Sequence, residues 1–510
     1  MTILSILTLI FSPLIIALII LSPIFPNNKI KIRRFSKTFS IIHFIYSSLF
    51  LVFFNSTHLG WSYQKELTFF GSSWLKSLGI TASFAMDGIS LVFVLLTSFI
   101  SMLVLIASKT TIRRKHRLFY PLVLILESIL LGLFCTKDMF VFFFFLQAEL
   151  IVSYLLISQW KDKNDATAGK KYITYNSICN FILFLGMIIL YFYSFVQTGI
   201  LTADIESLNI SDGFFALGFN SFIFWCIFIG FACKLMIVPI HYGIINAQIN
   251  SATPVSMLIN GLILNIGGYG LIRFNIGVFS ELYGFFAYIL MILGVINIIY
   301  GACIAFSQTN IKKIITYLNL TQTGFILIGL SSLTDIGFEG ALFHMISRSL
   351  IWTGLFMLIG SIYQRTKTLN IDLLGGLNKI IPICYNLGLI ICLGALSIPF
   401  TSNFISEFMI LNGLILNDEM PEVLFLSILT ICLIGLIFVS GSILLFFNKT
   451  FYGETMSQFN QLKGKRNITK SEIIVFSLIA LSIIFLGIFP NAILEIFDMT
   501  SDVIIDFLKV

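Results

Sequence analysis

Long apolar runs without alternation, separated by short polar loops, constrain this chain more than any other feature. Runs such as 141–146 (VFFFFL) and 183–193 show no apolar/polar alternation, which excludes the strands of a β-barrel, whereas a helix crossing a bilayer needs about 20 apolar residues. The charge content sharpens the point: 11% of the 510 residues are Asp, Glu, Lys or Arg, against roughly 25% in a soluble domain. Any folded form has a mostly apolar surface that lipid or a protein partner must cover. The fold class predicted is an all-α polytopic membrane protein.

Spans are expected at 3–25, 38–57, 84–108, 118–136, 139–160, 172–197, 214–250, 253–275, 282–306, 311–332, 338–363, 381–414, 423–448 and 472–490, about fourteen in all. Cations stay on the cytoplasmic or matrix side of a membrane, and the loops alternate accordingly. Lys29, Lys31, Arg33, Arg34 and Lys37 follow the first span and place the N-terminus outside. Further inner loops carry Arg113, Arg114, Lys115 and Arg117; Lys161, Lys163, Lys170 and Lys171; Lys312 and Lys313; Arg365, Lys367 and Lys379; and Lys463, Lys465, Arg466 and Lys470. Outer loops carry Asp204, Glu206 and Asp212; Asp335 and Glu339; and Asp418, Glu419 and Glu422. The formal charge of +7 is thus a topology signal and not a nucleic-acid-binding face.

The ends and the cysteines add limits. Residues 1–25 have no basic segment ahead of the apolar run and no small-residue cleavage site, so they read as a span and not as a cleaved leader. Residues 491–510 set Ile493, Leu494, Ile496, Phe497, Ile504, Ile505 and Leu508 against Glu495, Asp498, Asp502 and Asp506. Such an amphipathic segment is expected along the outer surface or docked on a neighbouring subunit. The longest polar stretch, 453–471, is too short to bury a core, so no soluble domain is expected. The eight cysteines all fall in apolar runs without a CxxC and read as buried packing residues. With no GxGxxG after a strand, no GxxxxGK[ST] and no cysteine cluster, no cofactor is expected on this chain.

An ionisable group in hydrocarbon costs several kcal/mol, and the few that remain in spans are usually functional. Here they are Glu127, Glu149, Lys234, His241, His344, Arg348 and Glu407. Two spans are also too long and interrupted: the seventh at Val238-Pro239-Ile240-His241 and the twelfth at Ser397-Ile398-Pro399-Phe400. A proline inside a span frees carbonyls that need water or polar side chains, so broken helices line wet cavities. The two breaks are five spans apart, which fits two inverted five-helix repeats. The division expected is 1–83 (two spans and an outer loop), 84–117 (third span and basic inner loop), 118–275 and 276–450 (the repeats), and 451–510 (last span and amphipathic segment). A row of buried acids and bases at mid-membrane suits a proton relay through Glu127, Glu149, Lys234, His241, His344 and Glu407. Structural glue is the competing reading, for example a Glu127–Lys234 pair.

Several ordered motifs carry a family resemblance over residues 84–450. They are Asp87-Gly88-Ile89-Ser90-Leu91, the segment from Lys234 to His241, Gly267-Gly268-Tyr269-Gly270 leading to Arg273-Phe274, Ile311-Lys312-Lys313 with Tyr317, and Asn403-Phe404-Ile405-Ser406-Glu407-Phe408. On them the chain resembles the proton-translocating, antiporter-like membrane subunits of respiratory complex I, most of all the chain 4 branch. The resemblance implies a fourteen-helix fold with two inverted repeats, and neighbours resembling chains 2 and 5. It also implies NADH, FMN, iron–sulfur clusters and ubiquinone on or at other subunits. The location implied is the mitochondrial inner membrane, which the 54 phenylalanines of an AT-rich organellar coding style also suit, ahead of a bacterial plasma membrane. Carried over by position, Glu127, Lys234 and Glu407 match the acid of span 4, the lysine of span 7 and the acid of span 12. Three positions depart. The glutamate of span 5 falls on Gln147, with Glu149 about 200° further round the helix and so expected to point away from Lys234. The central lysine of span 8 falls on Asn265, and the second histidine of the span 7 turn on Gln248. A stand-alone cation/proton antiporter and a structural subunit with a degenerate proton path are the alternatives.

Overall fold

In the computed structural model the described residues are 5–52, 54, 62–66, 78–112, 114–160, 167–208, 217–417, 420–454 and 468–506. Among the loop and tail residues named above, Arg113, Lys161, Lys163, Asp212, Asp418, Glu419, Lys463, Lys465, Arg466 and Leu508 lie outside them, as do the side chains of Glu206, Asp498, Asp502, Ile504, Ile505 and Asp506. Regular structure is nearly all helical: α1 Ile6–Leu21, α2 Lys29–Val52, α3 Gly88–Thr111, α4 His116–Cys135, α5 Met139–Gln159, α6 Ala168–Thr198, α7 Leu217–Leu235, α8 Tyr242–Asn250, α9 Thr253–Ile276, α10 Ser280–Ser307, α11 Ile311–Leu330, α12 Asp335–Thr366, α13 Pro382–Ala395, α14 Ser402–Ile415, α15 Glu422–Phe451, α16 Lys470–Ile488 and α17 Asn491–Asp506. Among the described residues, eleven helices are long and apolar enough by length and composition to cross a membrane. The one sheet among them, β1 Ser62–Glu66 antiparallel to β2 Ser83–Met86, lies in a segment that carries no strand expectation from its sequence.

Several helices begin where the sequence supplies a side-chain oxygen for the unpaired amides of the first turn. Asp87 accepts from Ser90 N at the start of α3, Asp138 from Phe140 N and Val141 N at α5, Asn310 from Lys312 N at α11, and Thr469 from Glu472 N at α16. The central elements are α9 and α12, whose apolar windows are wholly inside the protein, while α2 and α15 present most of theirs to the exterior. That exterior is apolar, with Val423, Ile437, Phe144 and Leu481 among the exposed side chains. Seven cysteines are buried as expected; Cys303 is the exception, exposed on the outer side of α10, because that helix turns one face away from its neighbours.

Ion pairs and close backbone contacts tie the two ends of the bundle. The Asp87 and Arg273 side chains of two quoted motifs meet, with Arg273 Nη2 also 3.1 Å from Ser90 Oγ and its guanidinium 5.1 Å from the Tyr269 ring centre. These motifs therefore build a joint between α3 and α9. At Gly88 a Cβ would stand 1.9 Å from the Ile496 carbonyl oxygen, so only glycine lets α17 lie against α3. Thr500 accepts from Gly88 N (3.2 Å), Ser501 donates to Glu339 (3.1 Å) and Phe497 is fully buried. The amphipathic tail thus docks on its own chain. At the basic end Arg365 grips Glu472 through two bonds of 3.1 and 2.9 Å. Arg365 is buried inside α12 and is not a loop residue, because Glu472 neutralises it there. Lys312 is buried too, capping the last turn of α8 through the Ser251 carbonyl.

Two predictions follow the packing. A Cβ on Gly267 of α9 would stand 2.5 Å from Leu235 N and 2.8 Å from Phe231 O, backbone that cannot swing aside. Gly267→Ala should push α9 off the end of α7 and lower stability by about 1–3 kcal/mol, read from thermal unfolding of the detergent-extracted protein. In the loop before α5, burial pushes the Asp138 carboxyl up from 3.8 to about 6, against the amides of Val141, Thr81 and Phe140 that favour its charge. The folded state holds this proton to higher pH than the unfolded chain, so the contribution is full below about pH 4 and is lost as pH rises through about 6. Asp138→Asn should remove up to about 3 kcal/mol of that slope, measured as stability between pH 4 and 7.

Candidate functional site

Two interruptions of helix organise the interior. α7 ends at Leu235 and α8 starts at Tyr242; between them Met236 has φ +65° and Val238–Pro239 is cis. The backbone freed there is taken up by Asn297 of α10, whose Oδ1 accepts from Val238 N (2.8 Å) and whose Nδ2 donates to Met236 O (3.3 Å) and Thr323 Oγ1 (2.9 Å). The second break separates α13 from α14, with Ser397 and Phe400 at positive φ. Asn403 spans it, donating to Ser397 Oγ (2.9 Å) and to Glu407 Oε1 (2.8 Å). Both interruptions fall where the prolines place them in the sequence.

Lys234 sits in the last turn of α7, and its ammonium pairs with Glu149 of α5, both side chains fully buried. Glu149 Oε1 also accepts from Ser153 Oγ (2.5 Å) and Tyr172 OH (3.1 Å). The sequence expectation that Glu149 points away from the lysine is wrong. α5 is a regular helix whose register is set at its Asp138 cap, and in that register it is Glu149 that faces α7. Gln147 is only half-buried and meets Asn180 of α6 at 3.5 Å. The suggested Glu127–Lys234 pair is also corrected. Glu127 of α4 is bound by His43 of α2, Nδ1 to Oε1 at 2.8 Å, with both residues buried. His43 Nε2 faces the Leu9 carbonyl at 3.1 Å, which can only accept; Nε2 therefore carries a proton, and the second proton is shared with the carboxyl.

From Lys234 the polar groups continue across the bundle. α9 lies against Leu235 at Gly267, and two residues earlier Asn265 turns inward. Its Oδ1 accepts from Arg348 Nη2 of α12 (2.9 Å) and from Ser349 Oγ (3.2 Å), while its Nδ2 donates to Ser349 Oγ (2.8 Å) and Gly261 O (3.0 Å). Asn265 lies in the α-helical stretch of α9 between π-turns at Ile259–Ile263 and Leu271–Ile276, a local widening common at functional sites. One turn before Arg348, His344 Nδ1 meets Ser406 Oγ at 2.9 Å, and Ser347 Oγ meets Ser402 Oγ at 2.7 Å. Gln322 of α11 lies beside both His344 and Glu407. The row thus runs Glu149, Lys234, Asn265, Arg348, His344, Glu407. His241 stands off it, at the start of α8, edge-on to Tyr300 with ring centres 5.1 Å apart. Its neighbour Tyr242 lines a cavity of about 790 Å³ at the basic end, with Asn246, Asn250, Lys313, Tyr317 and Lys367.

Comparison with known proteins assigns this architecture. The profile of the NADH:quinone oxidoreductase/Mrp antiporter transmembrane family matches residues 136–435. The NAD(P)H-quinone oxidoreductase chain 4 of Acaryochloris marina is 31% identical over 505 residues, 98% of this chain and 92% of that one. A protein of that type from Trichormus variabilis is 33% identical over 432 residues, 84% of this chain and 78% of that one. This chain belongs to that membrane family. The same fold occurs in a chain of respiratory complex I from Thermus thermophilus with bound NADH (TM-score 0.83, 22% identity, 99% of this chain and 100% of that chain). It occurs again in the Mrp complex from Dietzia sp. DQ12-45-1b (TM-score 0.85, 18% identity, 99% and 98%).

Within this family member, His43, Asn297 and Gln322 are among the interior polar residues that sequence reading passes over. For His43 a signal existed: Ser36, Ser40, His43 and Ser47 recur at helical spacing in α2 and all four are buried, a polar stripe that an apolar span does not carry without a partner. The geometry of the pair on α5 and α7 yields a third prediction. Lys234→Met or Glu149→Gln alone strands a buried charge and should cost about 3–5 kcal/mol, whereas the double variant should recover most of it. Thermal unfolding of the three variants measures the coupling.

Proposed function

We propose that this chain is a proton-translocating membrane-arm subunit of a complex I-type NADH:quinone oxidoreductase, driven by electron transfer on other subunits. The observation that carries the reading is the row of buried acids, bases and amides from Glu149 to Glu407, lying between two interrupted helices. Along it, and at its flanks, polar atoms lie inside without a protein partner: Glu127 Oε2, His241 Nδ1, Gln248 Oε1 and His344 Nε2. Buried polar atoms of this kind call for water, and water between titratable groups is what a proton needs to move.

Each group has a part in this reading. Glu149 holds Lys234 charged; parting the two raises the cost of keeping that charge in an apolar interior, and the lysine passes its proton to water. His344, bound on one nitrogen only, receives and hands on a proton toward Glu407, which Asn403 orients. Glu127 and His43 store one proton between them. The cavity beside Tyr242 supplies protons from the basic side, with His241 next to Tyr242 in the chain. The fourteen spans, the two inverted repeats and the domain boundaries given above belong to this reading. NADH, FMN, iron–sulfur clusters and ubiquinone act elsewhere in the assembly. The membrane is an energy-coupling one. The relatives named above are cyanobacterial, which supports a bacterial plasma membrane at least as well as the mitochondrial inner membrane expected from the resemblance.

Glu407→Gln removes the last acid of the row without removing its hydrogen-bonding shape. Proton yield per NADH oxidised in membrane vesicles should fall while the complex still assembles; an unchanged yield would make the subunit a scaffold. Mild-detergent extraction and mass measurement should find the chain only with other membrane-arm subunits. A purified single chain exchanging cations for protons in liposomes would point instead to a stand-alone antiporter.

A further inference from the structure

Arg348 is the one charged member of the row that the relay just described does not use. It is fully buried at mid-helix in α12, and a guanidinium stays charged in any protein environment. Among the described residues no carboxylate pairs with it. Its one hydrogen bond is to the neutral Asn265 Oδ1, and its Nε and Nη1 have no protein partner. By contrast, the buried Lys234 has Glu149 and the buried His43 has Glu127. A lone buried cation is costly, and packing does not require one, since a glutamine of similar reach could meet Asn265.

Resting on the reading above, we propose that Arg348 is the fixed central cation of the proton path, a positioning residue that carries no proton itself. It lies between the neutral Lys234–Glu149 pair and the acid Glu407, reached through Asn265 on one side and through His344 and Ser406 on the other. Its charge repels an excess proton resting at His344, one turn away, and so drives that proton on toward Glu407. The two halves of the path are thereby coupled by charge: a proton arriving at Lys234 is felt at Glu407 through the cation between them, and no proton crosses on the guanidinium. Asn265 holds the cation at the junction with α9.

The test separates charge from shape. Arg348→Gln should lower proton yield per NADH to the extent that Glu407→Gln does. Arg348→Lys, which restores the charge on α12, and the double variant Asn265→Lys/Arg348→Gln, which moves it one helix over to α9, should both restore the yield. Assembly is read in parallel on native gels. Should Arg348→Gln fail to assemble, the two cationic variants decide alone: both must give an assembled, pumping complex. Full yield in Arg348→Gln overturns the inference, as does an assembled double variant that stays as poor as Arg348→Gln. If Glu407→Gln lowers the yield while Arg348→Gln leaves it intact, only the role of Arg348 falls; if neither variant changes it, the pumping reading falls as well.

Discussion

The cost of holding charge where water is scarce governs this structure. In an interior of low dielectric an ion needs a counter-ion, several dipoles or water, and each buried ion here meets that demand in its own way. Arg273 finds Asp87, Arg365 finds Glu472, Lys234 finds Glu149 and His43 finds Glu127. The first two pairs sit at the ends of the bundle and join helices. The others lie deep, among the groups of the proposed relay, and one of them leaves a carboxyl oxygen without a partner. The same physics makes some ion pairs joints and, in the proposed reading, others working parts.

Helix interruption provides the rest. Breaking α7 from α8 and α13 from α14 frees backbone groups that an unbroken helix would have consumed. Asn297 satisfies that backbone at the first break, and at the second Asn403 ties Ser397 Oγ to Glu407 of the row. Asparagine suits the task because its amide donates and accepts at once. Glycine at 267 lets α9 approach the backbone at the end of α7, next to Lys234 in the chain. Loss of close approach there would separate the halves of the path without touching any charged residue.

The departures from the family pattern take on physical sense in this setting. Asn265, which holds no charge, accepts a hydrogen bond from the Arg348 cation across the interface between α9 and α12. Glu149 takes the place beside Lys234 that a count along the chain had given to Gln147. The tail that looked free to meet a neighbour is held at home, because Gly88 leaves room for the backbone at Ile496.

By itself the sequence determined the solvent, the helical class, the two breaks and the short roster of buried ions. These follow from composition, hydropathy and proline, which act locally and are the same in any packing. It also placed Lys234 and Glu407 beside the breaks, since they adjoin the prolines in the chain. Only the tertiary structure decided who meets whom: His43 with Glu127, Glu149 with Lys234, Arg348 with Asn265, and the buried fate of Lys312 and Arg365. Partner choice depends on the rotation and depth of one helix against another. A shift of one residue turns a side chain by about 100°, and nothing in a single chain of letters records that angle.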